Sequence, residues 1–262
     1  MKTDDVKPKI LLWDIESSYN LLYTFSLDQK DKTIPYDNIV TERYIFCISY
    51  KWFGEKTIHT ISITDYPNFK QDIHDDFFVI KDFRDILEQA DAYVGHYADN
   101  FDLPMLNARI LRHGLDPLPK IIGLDTCKIA RKYFRLNSNK LDYLAKYLGL
   151  KGKIHNSSGL WRECFEGNRQ ALKDMIKYNR QDVKVLEDVF IKLIPFVKNH
   201  PVNMNMFLRG ARCPNPTCGS FKLQSRGFRY TKLNKYQRFQ CTDCGTWCDS
   251  REATPYQKVL VR

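Results

Sequence analysis

The segment KILLWDIE, residues 9–16, narrows the possible folds of this 262-residue chain more than any other feature. Its apolar side chains predict a buried strand, and the strand ends in two carboxylates. Side chains alternate between the two faces of a strand, so Ile10, Leu12, Asp14 and Glu16 share one face. Two acids on an otherwise apolar face are unfavourable unless a cation or a positive group neutralises them. The alternative is that the strand has already ended and both acids are solvated.

Strand and helix patterns alternate along the following 190 or so residues, and such alternation predicts an α/β domain with a mixed sheet. Further strands are expected at residues 44–53, 57–64, 92–96 and in a segment that ends at Leu124. Helices are expected at residues 82–90, 103–113, 140–148, 169–178 and 182–198. Ser138 is a candidate cap for the helix at 140–148. Residues 199–210 are expected to form a linker.

Two later segments contain acids whose positions are not unusual when each is taken alone. In GHYADNFDLP, Asp102 follows a strand and begins a helix that Pro104 can open, where an acid is often only a helix-dipole partner. In YNRQD, Tyr178 and Asp182 are four residues apart and would face the same side if this stretch is helical. A pair of that kind is often an ordinary surface feature.

Together, DIE, DNFD and YNRQD occur in the order found in the DEDD, or DnaQ-like, exonuclease superfamily. The chain resembles the tyrosine-bearing branch of that superfamily over residues 8–198, and the segments LDTCKIA and SNKLDYLAKYLGL fit as well. The resemblance implies a ribonuclease H-like fold, a mixed five-stranded sheet flanked by helices. The histidine branch is disfavoured because Lys177 stands five residues before Asp182. We expect His96, His113 and His155 to be surface or structural residues.

The resemblance also implies an activity, the metal-dependent 3′→5′ hydrolysis of DNA or RNA to nucleoside 5′-monophosphates. The residues that it makes catalytic are Asp14, Glu16, Asp102, Tyr178 and Asp182. The four acids would hold two Mg²⁺ or Mn²⁺ ions, which prefer carboxylate oxygens and stabilise charge on a phosphodiester. Asp14 would bridge both ions, and Asp102 would hold the second. Tyr178 would orient the attacking water.

An exonuclease of this kind must also hold a frayed single-stranded 3′ end. Ile15 and Phe101 flank the acids and could stack on the terminal bases. Both could equally be core residues, and the sequence leaves that choice open.

Cysteines near the end of the chain form the pattern C-x4-C-x22-C-x2-C, comprising Cys213, Cys218, Cys241 and Cys244. Four thiolates in two pairs predict one structural Zn²⁺, which would stabilise a segment with little core of its own. The segment resembles zinc ribbons, including those fused to transposases, although its first pair is more widely spaced than usual. Disulfides are the alternative. Cys248 could replace one ligand or be a spare thiol.

The net charge is concentrated in the same segment. Residues 205–262 contain 11 Lys and Arg against three acids, a net +8 out of +10 for the whole chain. So basic a module usually binds a polyanion. Arg226, Arg229 and Arg238, interleaved with aromatic residues, are candidates for substrate contact. The alternatives are a merely soluble surface and a docking face for a replication or repair protein.

The sequence therefore predicts an exonuclease domain at residues 1–203 and a zinc ribbon at 204–262. One alternative function is a catalytically silent nucleic-acid-binding adaptor, and another is a nuclease that its ribbon recruits to a replication or repair protein. The charged residues 1–9 predict no signal peptide, and no apolar run reaches the roughly 18 residues of a membrane span. We expect a cytoplasmic protein in which Cys47, Cys127 and Cys164 are reduced.

Overall fold

The computed structural model of the chain describes residues 7–25, 33–152 and 159–254. Its strands are β1 (Ile10–Ser17), β2 (Leu21–Leu22), β3 (Ile39–Thr41), β4 (Ile45–Trp52), β5 (His59–Ser62), β6 (Ala92–Gly95), β7 (Ile122–Asp125), β8 (Leu223–Tyr230), β9 (Lys235–Cys241) and β10 (Trp247–Asp249). Its α-helices are α1 (Phe77–Leu87), α2 (Asp102–Arg112), α3 (Thr126–Tyr133), α4 (Leu141–Tyr147), α5 (Leu160–Phe165) and α6 (Arg169–Leu193).

Strand β1 lies at the centre of a five-stranded sheet with the order β5-β4-β1-β6-β7. It is antiparallel to β4 and parallel to β6, which is in turn parallel to β7. The parallel strands β1, β6 and β7 therefore end at the same edge of the sheet, where open α/β sheets commonly bind ligands. This arrangement confirms the predicted mixed five-stranded sheet flanked by helices.

The alternation of side chains along β1 separates two hydrophobic cores. Leu11, Trp13 and Ile15 point into a core formed with α1, α2 and α5, whereas Ile10 and Leu12 point into one formed with α3 and α4. The acids of β1 share the face of the second core, as the period of two predicts. The strand continues through both acids, so they are not the solvated tail of a strand that has ended.

Helix α6 contributes to both cores. Ala171 and Met175 belong to the first core, and Val183 and Phe190 belong to the second. The helix is continuous over 25 residues, so the prediction of two separate helices in this region is wrong. Its middle, residues 178–182, lies where the helix passes from one core to the other, beside the end of β1.

Three smaller predictions also need correction. Helix α1 begins at Phe77, five residues earlier than predicted, and it ends at Leu87. The Ser138 hydroxyl accepts a hydrogen bond from the Lys140 amide at 3.3 Å, but α4 starts only at Leu141 and has no side-chain cap. The predicted linker is packed rather than extended, because Val202 is buried against the second core.

The C-terminal segment forms a separate antiparallel sheet with the order β10-β9-β8. Hydrogen bonds join it to the segment that follows α6. Among them, the Met204 amide donates to the Pro214 carbonyl at 3.2 Å, and the Thr246 hydroxyl donates to the Pro195 carbonyl at 3.4 Å. A four-cysteine cluster lies at one end of this sheet, as predicted. Among the described helices, none combines the length and hydropathy needed to cross a membrane.

Candidate active site

Three carboxylates meet where β1 ends against the middle of α6. Oxygen atoms of Asp14, Glu16 and Asp182 all lie within 4.8 Å of one another. Glu16 is 8% exposed and Asp182 is 2% exposed, whereas Asp14 is half-buried. Carboxylates this close repel one another, and a hard divalent cation bound between them offsets the repulsion. Because the donors are all oxygen atoms, the cluster suits Mg²⁺ or Mn²⁺.

Asp102 is the first residue of α2 and lies next to this trio, although it is not part of it. Its Oδ1 accepts a hydrogen bond of 3.2 Å from the amide of Ile15, the residue between the two acids of β1. Burial raises the pKa of Asp102 to about 7, although hydrogen bonds from backbone amides act in the opposite direction. Near neutral pH a cation would therefore compete with a proton for this carboxylate.

Asn179 contacts the acid cluster directly, although the sequence did not single it out. Its Nδ2 donates to Asp14 Oδ2 at 2.7 Å and to the Asp14 carbonyl at 3.2 Å. The side chain is fully buried, and the Cys47 sulfur lies 3.8 Å from its Oδ1. Outer residues of this kind fix the orientation of metal-binding carboxylates. The available signal was its position three residues before Asp182, which places both side chains on the same side of α6.

Tyr178 lies one turn before Asp182 on α6 and is half-buried. Its ring makes an edge-to-face contact with Trp161, with ring centroids 5.8 Å apart and an interplanar angle of 76°. This aromatic contact restricts the direction of the tyrosine ring. The structure thus places Tyr178 on the same helix as one acid of the trio.

A cleft of about 620 Å³ opens at the same edge of the sheet, beyond the ends of β6 and β7. His96, Tyr97, Arg131 and Lys140 are among the residues that line it. The Arg131 guanidinium lies 5.5 Å from the centre of the Tyr97 ring. Tyr97 has a φ of 65°, a left-handed conformation that is uncommon for a residue with a side chain. A cation can bind a phosphate, and an exposed aromatic ring beside it can stack on a base.

The two candidate stacking residues have different environments. Ile15 is 5% exposed and belongs to the first core, so it is a core residue. Too little of its side chain is accessible for stacking on a base. Phe101 is 38% exposed, and the Arg43 guanidinium lies 5.8 Å from its ring centre. Of the pair, Phe101 alone has a surface that a base can reach.

His96 and His113 lie outside the acid trio. His96 Nδ1 is 2.9 Å from the Thr126 hydroxyl, and His113 Nε2 is 2.6 Å from Asp76 Oδ1. His155 lies outside the described residues. Arg109 forms two hydrogen bonds to the same Asp76 carboxylate, so this second cluster of acid and histidine is a buried ion pair and not a metal site.

The four cysteines of the C-x4-C-x22-C-x2-C pattern come together at one end of the sheet formed by β8, β9 and β10, which we call the ribbon sheet. Their sulfur atoms all lie within 4.8 Å of one another. The Cys213 and Cys244 sulfurs are 3.5 Å apart, and those of Cys218 and Cys241 are 3.8 Å apart. These distances are too long for disulfides. They match the edge of a tetrahedron of sulfurs around zinc, about 3.8 Å for Zn–S bonds of about 2.3 Å. Cys248 is not part of the group.

One cysteine of the cluster has an environment that favours the thiolate. Burial alone would raise the pKa of Cys244, but hydrogen bonds with the side chain and the backbone amide of Thr246 outweigh burial and lower the pKa to about 7. The Asn215 amide nitrogen is also 3.6 Å from the Cys244 sulfur. Ligand deprotonation precedes zinc binding, so these donors suit a metal ligand.

The three arginines proposed for substrate contact are all on the ribbon sheet. Arg229 contacts Asp249 at 2.5 Å, and its guanidinium lies 4.6 Å from the Tyr236 ring centre. Arg238 lies over the Trp247 ring at 5.8 Å. Arg226 is exposed in the irregular part of β8, where the pairing register with β9 shifts.

Comparisons with known proteins agree with this architecture. Among solved structures, the chain is similar to a family B DNA polymerase from the hyperthermophilic archaeon Pyrobaculum calidifontis, with 17% sequence identity and a TM-score of 0.54. The similarity covers 72% of this chain but only 25% of the polymerase, and at this identity it shows the fold alone. No curated protein matches the chain significantly.

The sequence model of the RNase_H_2 family, described as RNase_H superfamily, matches residues 40–194. The matched range contains Asp102, Tyr178 and Asp182 and begins after Asp14 and Glu16. It covers more than half of the 262 residues, and the chain therefore belongs to the RNase_H superfamily.

Proposed function

We propose that this protein is a metal-dependent 3′→5′ exonuclease that hydrolyses phosphodiester bonds of DNA or RNA. The observation that carries the proposal is the oxygen-only trio of Asp14, Glu16 and Asp182 at the end of the central strand. The order of DIE, DNFD and YNRQD along the chain supports the direction of cleavage and the tyrosine-bearing type. Membership of the RNase_H superfamily supports a nucleic-acid substrate.

The proposal gives each side chain of the site a role. Mg²⁺ or Mn²⁺ held by the trio, with Asp102 beside it, would stabilise negative charge on the phosphodiester oxygens. Tyr178 directs its hydroxyl at the attacking water, and the contact with Trp161 restricts its ring. Asn179 holds the Asp14 carboxylate in one orientation. The neighbouring cleft, lined by Arg131 and Lys140, receives the strand that leads to the scissile bond.

The same proposal covers the rest of the chain. Residues 1–203 form the catalytic domain, and residues 204–262 form a ribbon held by one structural Zn²⁺. The sulfur distances of 3.5 and 3.8 Å support a tetrahedral thiolate site for this ion. Proposed catalytic residues all precede the ribbon, so hydrolysis and ribbon folding can be tested separately.

A single assay tests the activity. End-labelled single- and double-stranded DNA and RNA are incubated with Mg²⁺ or Mn²⁺, and the products are resolved as ladders. We expect stepwise shortening from the 3′ end in the wild type and almost none in Asp14→Asn, because that change removes a ligand charge while keeping the shape. The matched control is Asp174→Asn, which neutralises an acid on α6 that is partly exposed and paired with Lys177.

The outcomes separate the possible functions. Cleavage that persists in Asp14→Asn with a chelator present would contradict the proposal. Tight binding of the oligonucleotide without cleavage by the wild type would identify a silent adaptor instead. Internal fragments or 5′ shortening would retain the nuclease but reject the stated polarity.

A further inference from the structure

The two faces of the ribbon sheet carry different chemistry. Residues paired across an antiparallel sheet share a face, and the register pairs Arg229 with Tyr236 and Arg238 with Asp249. Trp247 pairs with Gln240, so it lies on that same face because positions 236, 238 and 240 of β9 alternate with the others. We call Arg229, Tyr236, Arg238 and Trp247 the arginine–aromatic face.

The opposite face belongs to the metal cluster. Cys241 and Phe239 of β9 lie there, and Cys248 of β10 pairs with Phe239. Cys241 is fully buried, so the cluster covers this face at its end of the sheet. The arginine–aromatic face therefore points away from the four-cysteine cluster and contributes no residue to it.

Cations and rings alternate on the arginine–aromatic face. The Arg229 guanidinium is 4.6 Å from the Tyr236 ring centre, and the Arg238 guanidinium is 5.8 Å from that of Trp247. Trp247 is 48% exposed, an unusual state for the largest apolar side chain in a small module. Aromatic rings and guanidinium planes are both surfaces on which an unpaired base can stack.

The charge of the ribbon favours an anionic occupant. Asp249 pairs with Arg229, but within the part of the chain that the structure describes no salt bridge to Arg238 is found. The segment 205–262 has a net charge of +8 from 11 Lys and Arg and three acids. Four thiolates around one Zn²⁺ would lower this by two and leave the segment strongly basic.

We propose that the arginine–aromatic face binds single-stranded nucleic acid, with bases stacked on Trp247 and Tyr236 and phosphates near Arg238. The nature of the ligand rests on the proposed function, which supplies a strand with a free 3′ end. A duplex would hide its bases from the rings, so an unpaired strand fits this flat surface better. The face would thereby hold the substrate at a distance from the acids.

The test uses the full chain and labelled 15-nucleotide single strands of DNA or RNA, with a DNA duplex for comparison. Binding is followed by fluorescence anisotropy at several salt concentrations, with Ca²⁺ in place of Mg²⁺ to limit cleavage. The double variant Arg238→Gln/Trp247→Leu removes one cation and one ring from the face. The matched control Lys222→Gln removes one cation that already pairs with Asp243 near the cysteine cluster.

We expect the double variant to bind single strands at least about 5-fold more weakly, the loss typical of one stacked base. Its slope of log affinity against log salt should become shallower by about 0.7, the value for one phosphate contact. Lys222→Gln should change affinity by less than about 2-fold. Duplex binding should be weaker than single-strand binding in the wild type, and the DNA and RNA arms report which sugar the face accepts.

A second measurement guards against a variant that simply unfolds. Unlabelled single strands should quench the emission of the wild type more than that of Trp247→Phe, because base stacking quenches tryptophan directly. Zinc content and circular dichroism of each variant establish that the ribbon is still folded. If the double variant is unfolded, the difference in quenching between the wild type and Trp247→Phe tests the inference instead.

Equal affinities, equal salt slopes and equal quenching in wild type and variants would overturn the inference and point to a protein partner for this face. If the wild type also forms 3′ ladders with Mg²⁺, the proposed function survives that result. Conversely, strand binding that depends on Arg238 and Trp247, without any cleavage by the wild type, would reject the proposed function and support the face.

Discussion

At the scale of single residues, Asn179 supports the geometry of the acid trio. It donates two hydrogen bonds to Asp14 and is fully buried. Water therefore cannot replace Asp14 as the partner of this amide. Removing such a donor would take away one restraint on the orientation of the Asp14 carboxylate. The sequence could not reveal this contact, because it joins residues 165 positions apart and needs β1 and α6 to be packed together.

We predict that Asn179→Asp lowers Mn²⁺ affinity or turnover by about 10- to 100-fold, the usual effect of changing an outer partner of a metal ligand. The change keeps the side-chain shape, but a carboxylate cannot donate and would repel Asp14. Calorimetric titration with Mn²⁺ measures the affinity, and kcat and KM are determined in parallel. The control is Gln170→Glu, the same chemical change at an exposed site on α6. Unchanged Mn²⁺ affinity and turnover would reject a positioning role.

The raised pKa of Asp102 predicts how cation binding depends on pH. Burial raises its pKa to about 7, so the protonated form predominates below that pH and a cation must displace the proton. We expect Mn²⁺ affinity to rise from pH 5.5 to about 7 and then to level off. In Asp102→Asn the affinity should be weaker and should vary less over the same range. Identical pH profiles in calorimetric titrations of the two proteins would exclude Asp102 as the titrating ligand.

At the scale of elements, α6 shows what periodicity can and cannot give. The apolar positions predicted helices at residues 169–178 and 182–198, with the polar stretch YNRQD at the junction between them, whereas α6 ends at Leu193. In the structure that stretch continues the helix, because Asn179 and Asp182 face the end of β1 and are buried there. Buried polar residues therefore look like a boundary in the sequence when their partners belong to a distant strand.

A second buried polar cluster joins three elements on the other side of the sheet. The Asp76 carboxylate, just before α1, accepts hydrogen bonds from Arg109 of α2 and from the Ile45 amide at the start of β4. His113 Nε2 lies 2.6 Å from the same carboxylate. Burial alone would raise the pKa of Asp76, but the bonds with His113 and Arg109 outweigh it and lower the pKa.

We predict that Arg109→Ala destabilises the protein by about 3–5 kcal/mol at neutral pH, because it leaves a buried carboxylate without its main cation. The control is Arg112→Ala, which removes an exposed arginine from the same helix. Since the folded pKa of Asp76 is lowered, its contribution is present above its unfolded pKa and is lost as the pH falls through its folded pKa. Urea unfolding at neutral and acidic pH measures both effects. A difference below about 1 kcal/mol at neutral pH, or one that grows on acidification, would contradict this account.

For the whole molecule, the sequence predicted the sheet, its flanking helices and the four-cysteine cluster, because each has a strong local pattern. It did not predict how the ribbon joins the rest. Residues 199–210 have the composition of a linker, yet Val202 packs into the second core and Met204 is buried beside Gly219 of the ribbon. The apolar residues of this short segment do not indicate which parts of the chain they pack against, so their burial is visible only in the folded chain.

The ribbon allows a final prediction that separates the stability of the two parts. Purified protein should contain one Zn²⁺ per chain, and the full-length double variant Cys213→Ser/Cys244→Ser should contain none, because both thiolates belong to the sulfur cluster. Without the metal, the small ribbon sheet should unfold, since so short a segment has too little core of its own.

The catalytic part should survive this loss. The proposed catalytic residues end at Asp182, and the two cores are built from residues 10–202, so hydrolysis of a short oligonucleotide should continue at saturating concentration. Affinity for longer strands should fall. The control Cys248→Ser should retain zinc and bind as the wild type does, because Cys248 lies outside the cluster. Elemental analysis, anisotropy and product ladders are measured on the three proteins. Zinc retained by the double variant would refute the ligand assignment. Zinc lost from Cys248→Ser would mean that Cys248 is a ligand.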